Sequence, residues 1–159
     1  MENLNLTVIN VRVMKDVKDQ YGVPSVMLKF NKEVPVIHEG DSEETLNDTI
    51  FLNSRSLTKQ LINLDGDVMT LFGVKGLPYF DQASYAIVLQ HSKLTLVRTR
   101  VHAGDAMVDE DGQPVVDDDG VARTYEFEGF STKITSLQVG NKSLLNTVIL
   151  AIATKTLED

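Results

Sequence analysis

Residues 93–102 (KLTLVRTRVH) alternate strictly between two faces. Leu94, Leu96, Arg98, Arg100 and His102 point one way; Thr95, Val97, Thr99 and Val101 point the other. A period of two does not fit a helix, so this segment is a strand. One strand is not stable alone in water, so the chain must supply partners for it.

Partners are plentiful. Residues 4–14 (LNLTVINVRVM) are dense in β-branched side chains, with Ile9, Val11 and Val13 on one face. Leu6 and Val8 open the other face, which turns polar at Asn10 and Arg12. After a polar connection over 15–22, residues 25–31 read as a second strand, 49–53 (TIFLN) as a short strand and 67–75 (DVMTLFGVK) as another. Between the second and third, 32–48 contains Pro35 and Gly40 and reads as an exposed loop, extended at 34–37. Residues 123–130 and 131–139 read as one long bent strand, bulged at Gly129.

Helical spacing is rarer. Ser54 or Ser56 caps a helix with Leu57, Leu61 and Leu64 on one face, and Asp65-Gly66 stops it. Pro78 opens a helix over 78–91, with Phe80, Ala83, Ile87 and His91 on one stripe. A strand over 84–89 is the alternative, because Ile87 and Val88 are β-branched. After a break at Gly140-Asn141, residues 143–157 form a helix with Leu145, Val148, Ile149 and Ile152 inward.

The expected class is therefore mainly β with one to three helices (α+β). With 49–53 and the helix after it as an insertion before the third strand, 67–75, and the C-terminal helix as an addition, three strands, a helix and two strands is the element order of an OB-like Greek-key barrel. A β-sandwich follows instead if 84–89 is a strand. At 159 residues, one domain over 1–159 is expected, with acidic loop insertions at 39–48 and 105–119. A chain of this length buries enough surface to fold without a metal or disulfide, and it has no cysteine.

Charge is unevenly spread. Of the net −8, seven charges sit in one segment without a base: Asp105, Asp109, Glu110, Asp111, Asp117, Asp118 and Asp119. A second base-free stretch holds Glu39, Asp41, Glu43, Glu44 and Asp48. The first contains a repeat eight residues apart, VDEDG and VDDDG, and Asp-Gly steps favour turns. Calcium binding fails in both EF-hand registers, because the position that needs the first carboxylate holds Val115 or Met107. Two turns flanking an excursion beyond the sheet is the better reading.

Catalytic chemistry finds little support. His38, His91 and His102 form no HxH or HExxH pairing, GxSxG is absent, and 73–76 (GVKG) is not a phosphate loop. Glu126 and Glu128 lie two apart on one strand face, where they read as solvent-facing. No enzymatic activity, metal or cofactor is expected. The 143–157 helix and the residue before it supply only Lys142 and Lys155 as cations, too few for a membrane-surface helix. No apolar run approaches about 20 residues and no secretory signal opens the chain, so cytoplasmic residence is the expectation.

What remains is the basic strand. Lys93, Arg98, Arg100 and His102 lie within 93–102, and cations on alternate residues repeat at roughly 6.6–6.8 Å, close to the phosphate spacing of an extended single strand. Tyr125 and Phe127 share a face of the next expected strand, where they would set rings beside cations. The expectation is a single-stranded nucleic-acid-binding accessory protein, virus- or mobile-element-encoded, with the acidic segment competing for the basic strand. The plainer reading of these residues is a charged solvent face with both rings in the core. The alternative function is a protein-interaction or structural subunit, or a homo-oligomer, whose acidic arm and edge strands dock a partner.

Overall fold

The computed structural model describes residues 2–158 apart from Gln20, Glu39 and Glu110, with side chains described over 3–155. The acidic positions Glu39 and Glu110, and the side chain of Leu157, lie outside what is described. Among the described residues, five strands and four helices follow in the order β1 (Glu2–Lys18), β2 (Pro24–Val36), β3 (Thr45–Asn53), α1 (Ser54–Leu64), α2 (Gly66–Lys75), α3 (Gln82–Leu89), β4 (Lys93–Val101), β5 (Gly129–Gln138) and α4 (Lys142–Glu158). The strands form one antiparallel sheet, ordered β3-β2-β1-β4-β5.

β1 belongs to both halves of this sheet. Its first part pairs with β4, from Glu2↔Arg98 to Thr7↔Lys93; its second pairs with β2, from Val8↔Phe30 to Lys18↔Pro24. A bulge between Val8 and Asn10 marks the change. An extra residue there exchanges the two faces. Leu6 and Val8 are therefore buried before the bulge and Val11 after it, whereas Ile9, expected on one face with Val11, is 44% exposed.

β3 and β5 are the sheet edges, and among the described residues they do not pair with each other. α1 packs between them, and its buried Gln60 carbonyl accepts the β5 hydrogen bond of Ile134 N at 2.8 Å. The expected closed barrel is thus an open sheet with a helix across the gap. Four helices rather than one to three follow from 67–75, expected as a strand. Asp65 caps α2 by accepting from Asp67 N and Val68 N, and Gly76 ends it in the left-handed region at φ 65°. Asn53, not a serine, caps α1.

The 78–91 segment is helical only at Gln82–Leu89, and Asp81 rather than Pro78 opens it. Ser84, Tyr85, Val88 and Leu89 are buried; of the expected stripe, Phe80 is buried just before the helix and Ile87 packs against the core, whereas Ala83 and His91 are exposed. Leu57, Leu61 and Leu145 are fully buried as expected, with Val148, Ile149 and Ile152 packed against the same core. Tyr85 ties α3 to α1: its hydroxyl lies 2.6 Å from Thr58 Oγ1 and donates to Ser54 O at 2.8 Å. Burial pushes the pKa of that phenol up to about 12. No helix among the described residues is long and apolar enough to cross a membrane.

Only the second half of the strand expected over 123–139 belongs to the sheet. Residues 102–128 form an arm between β4 and β5 that bonds mainly to itself. Met107 N donates to Arg123 O, Arg123 N to Val115 O and Val115 N to Met107 O. The repeat explains its turns. Asp109 accepts from Asp111 N and Gln113 N, and Asp117 accepts from Asp119 N and Val121 N, with a glycine at positive φ within each turn. The acidic stretch expected as a loop over 39–48 is shorter, because β3 begins at Thr45 and takes in Asp48.

Candidate nucleic-acid interface

The six residues expected to bind do not form one furrow. Lys93 is exposed, on the face opposite Leu94 and Leu96. Arg98 follows those leucines inward and is 8% exposed. Its guanidinium donates to Pro35 O on β2 and lies 4.5 Å from the Phe130 ring centre, while its Nε has no partner among the described residues. Burial pushes its pKa down to about 10. The physical reason for the misplacement is the alternation itself: the face that carries Leu94 and Leu96 is the core face, and Arg98 stands where the core ends.

Arg100 is outside, paired with Glu44 at 3.2 Å and 5.6 Å from the same ring. His102 lies beyond β4, with Nδ1 3.1 Å from Glu128. Tyr125 is half-buried in the arm, its N–H donating to Asp105 O, so it does not stand on a strand beside β4. Phe127 is 49% exposed just before β5. The ring that meets the arginines is Phe130, directly across from Arg100. That contact was legible only once the pairing register was known. Among the described residues, no three His, Asp or Glu side chains are placed to hold a metal.

Replacing Arg98 with methionine checks the reassignment. A buried cation without a carboxylate partner is costly, and an apolar side chain of similar length is tolerated at least as well. Chemical denaturation should give Arg98→Met unchanged or raised stability, and its affinity for a labelled oligonucleotide should match the unaltered chain. A large loss of affinity at equal stability would restore Arg98 as a contact.

A different surface carries rings and exposed cations together. Across β1, β2 and β3 the register sets up rows. Val11–Leu28–Ile50 and Val13–Val26–Leu52 point into the core, and the rows between them point out. The outward rows are Asn10–Lys29–Thr49, Arg12–Met27–Phe51 and Met14–Ser25–Asn53. Phe51 is 58% exposed near the C-terminal end of β3, next in sequence to the buried Ile50. A single exposed apolar side chain is ordinary on a folded surface, and Phe51 is set apart by its row, which it shares with Arg12.

Arg12 is exposed in the same row and has no ion pair among the described residues. Two strand spacings put it about 10 Å from Phe51. Lys29 is 3.8 Å from Asp48, both well exposed, a pairing that contributes little in water.

Two loops border this face. In the β1–β2 turn, Asp19 accepts from Tyr21 N and Val23 N, the same turn that the arm uses twice. Asn53 Nδ2 donates to Asp19 Oδ2 at 2.7 Å and fixes the turn to the end of β3. Tyr21, 52% exposed, meets the Arg123 guanidinium of the arm 4.9 Å from its ring centre. A second tether, Asp111 to Lys59 on α1 at 3.1 Å, holds the arm against the body. No family model, no curated protein and no solved structure matches this chain, so the use of the face rests on its own geometry.

Proposed function

We propose that the chain is a single-stranded nucleic-acid-binding accessory protein, and that the strand lies on the outward face of β1–β2–β3. The observation that carries this is Phe51 exposed in one row with Arg12, a cation without an ion pair among the described residues. An open ring stacks on any base, and cations beside it track the phosphates, so binding needs no base-specific contact. The sheet order supports the reading. It is the order of an OB barrel opened between strands three and five, with a helix in the opening. OB barrels bind on the face of strands two and three, bordered by the loops after strands one and four. Here those loops are the Asp19 turn and the acidic arm, which meet at Tyr21 and Arg123.

A titration of labelled oligothymidylate at several salt concentrations tests the proposal. Two or three phosphates neutralised by Arg12, Lys29 and Arg123 give a log–log slope of about −1.4 to −2.1. No binding at any ionic strength would retire the reading and leave the protein-interaction subunit in its place.

The arm then regulates access. It carries the seven acids of 105–119, it ties up Lys59, and its Arg123 covers the Tyr21 ring. Deleting 105–119 should tighten binding at low salt, with the gain fading as salt screens the arm beyond about 10 Å at 0.1 M. Unchanged or weaker binding would show that the arm does not compete.

A further inference from the structure

The outer edge of β5 faces the opening in the sheet, and one bond fixes its phase. Ile134 N donates outward to Gln60 of α1, not to β4. In an antiparallel pair, alternate residues turn both N–H and C=O to the same edge. The register with β4 is regular from Gly129 to Ile134, so Phe130 and Thr132 turn their backbone groups outward as Ile134 does. Neither residue's N–H or C=O meets a partner on that side among the described residues.

The same three residues form core-face rows with β4: Leu96–Ile134, Arg98–Thr132 and Arg100–Phe130. The first row is apolar and buried. The second holds a buried cation whose guanidinium has one carbonyl for a partner and whose Nε has none. No carboxylate pairs with Arg98 among the described residues, whereas Arg100 has Glu44. Both guanidinium groups lie over the Phe130 ring, so Arg98 leans towards β5. A buried charge without a counter-charge is destabilising, and an apolar residue of similar length would not be. The unbalanced charge therefore stands in the row whose outer end is the free backbone of Thr132.

We propose that β5 takes an added strand from a protein partner, an extended segment that brings a carboxylate into the Arg98–Thr132 row. Free donors and acceptors at strand spacing select a peptide backbone, and alternate side chains of the incoming strand set its specificity. The incoming residue beside Thr132 stands two strand spacings, roughly 10 Å, from the Arg98 backbone. An arginine and a glutamate side chain together span that distance. The carboxylate then supplies the charge that Arg98 lacks and an acceptor for its Nε. Lys133, exposed on the opposite face of β5, discourages neutral strands from adding there. β5 is not part of the β1–β2–β3 face, so this site stands whether or not nucleic acid binds.

The probe is an acetylated and amidated Thr-Glu-Thr-Glu-Thr peptide, titrated into the isotope-labelled full chain and followed by amide chemical shifts. Saturable shifts are expected at Phe130 and Thr132, with Phe51 unmoved. Arg98→Met should weaken binding at least about tenfold through loss of one charge-assisted hydrogen bond, and the Thr-Gln-Thr-Gln-Thr peptide should lose as much. The glutamate peptide N-methylated at both glutamates, whose N–H groups would face β5, keeps its charge but cannot pair as a strand, and it should not bind. No shifts on β5, or equal binding by Arg98→Met, by the glutamine peptide or by the methylated peptide, would each overturn the proposal. So would displacement of the peptide by oligothymidylate, which assigns the edge to nucleic acid, or a dimer in sedimentation that the peptide dissociates, which assigns it to a second copy.

Discussion

Replacing Phe80 with alanine is expected to lower the unfolding free energy by about 3–5 kcal/mol, the range for deleting a fully buried aromatic side chain. Phe80 is fully buried and precedes α3. Its ring stands edge-on to Phe72 at 6.0 Å and to Tyr85 at 5.5 Å, joining α2 to α3. Its own N–H donates to Thr58 Oγ1, the atom that also meets the Tyr85 hydroxyl. The ring therefore fills the junction of α1, α2 and α3 below the sheet. A cavity there cannot collapse without moving one of the three helices. Urea unfolding should show a lower midpoint at an unchanged slope. A loss below about 1 kcal/mol would mean that the helical layer repacks freely, contrary to the close packing of ordinary cores.

The second large effect concerns binding. Phe51→Ala together with Arg12→Glu should weaken single-strand affinity by about a hundredfold, since one stacked base contributes about 1–3 kcal/mol and the reversed charge repels a phosphate. Both residues are exposed, so stability should scarcely change. The salt slope should become shallower by about 0.7, because one phosphate fewer is neutralised. Fluorescence titration at two ionic strengths reads both quantities. Wild-type affinity in this variant would place the nucleic acid elsewhere.

Much of the fold was legible, and the misreadings have physical causes. The alternation of β4 and the inward leucines of α1 and α4 are periodic signals, and the structure follows them. α2 was hidden because DVMTLFGVK is short and apolar, and periodicity alone does not separate a buried strand from a helix in such a run. Its real signals were Asp65 as a cap and Gly76 as a stop. The bulge at Ile9 changes the phase of β1 midway, and only the switch from β4 to β2 reveals it.

The candidate site was less legible for the same reason. Arg98 was counted with Arg100 as an outward cation, although it shares its face with Leu94 and Leu96, which form the core. Phe51 carries no signal of its own, because Ile50, Phe51 and Leu52 form a continuous apolar run. That its phenylalanine points away from Ile50 becomes meaningful only when Arg12 is found two strands away in the same row.

The location of the binding face is the claim on which the functional account turns. Amide chemical-shift mapping on uniformly labelled protein, titrated with oligothymidylate, tests it most directly. The account predicts shifts at Arg12, Met27, Lys29 and Phe51 and at the bordering Tyr21, with Leu94 to Arg98 of β4 unmoved. Shifts confined to β4 and β5, or none at saturating oligonucleotide, would contradict it.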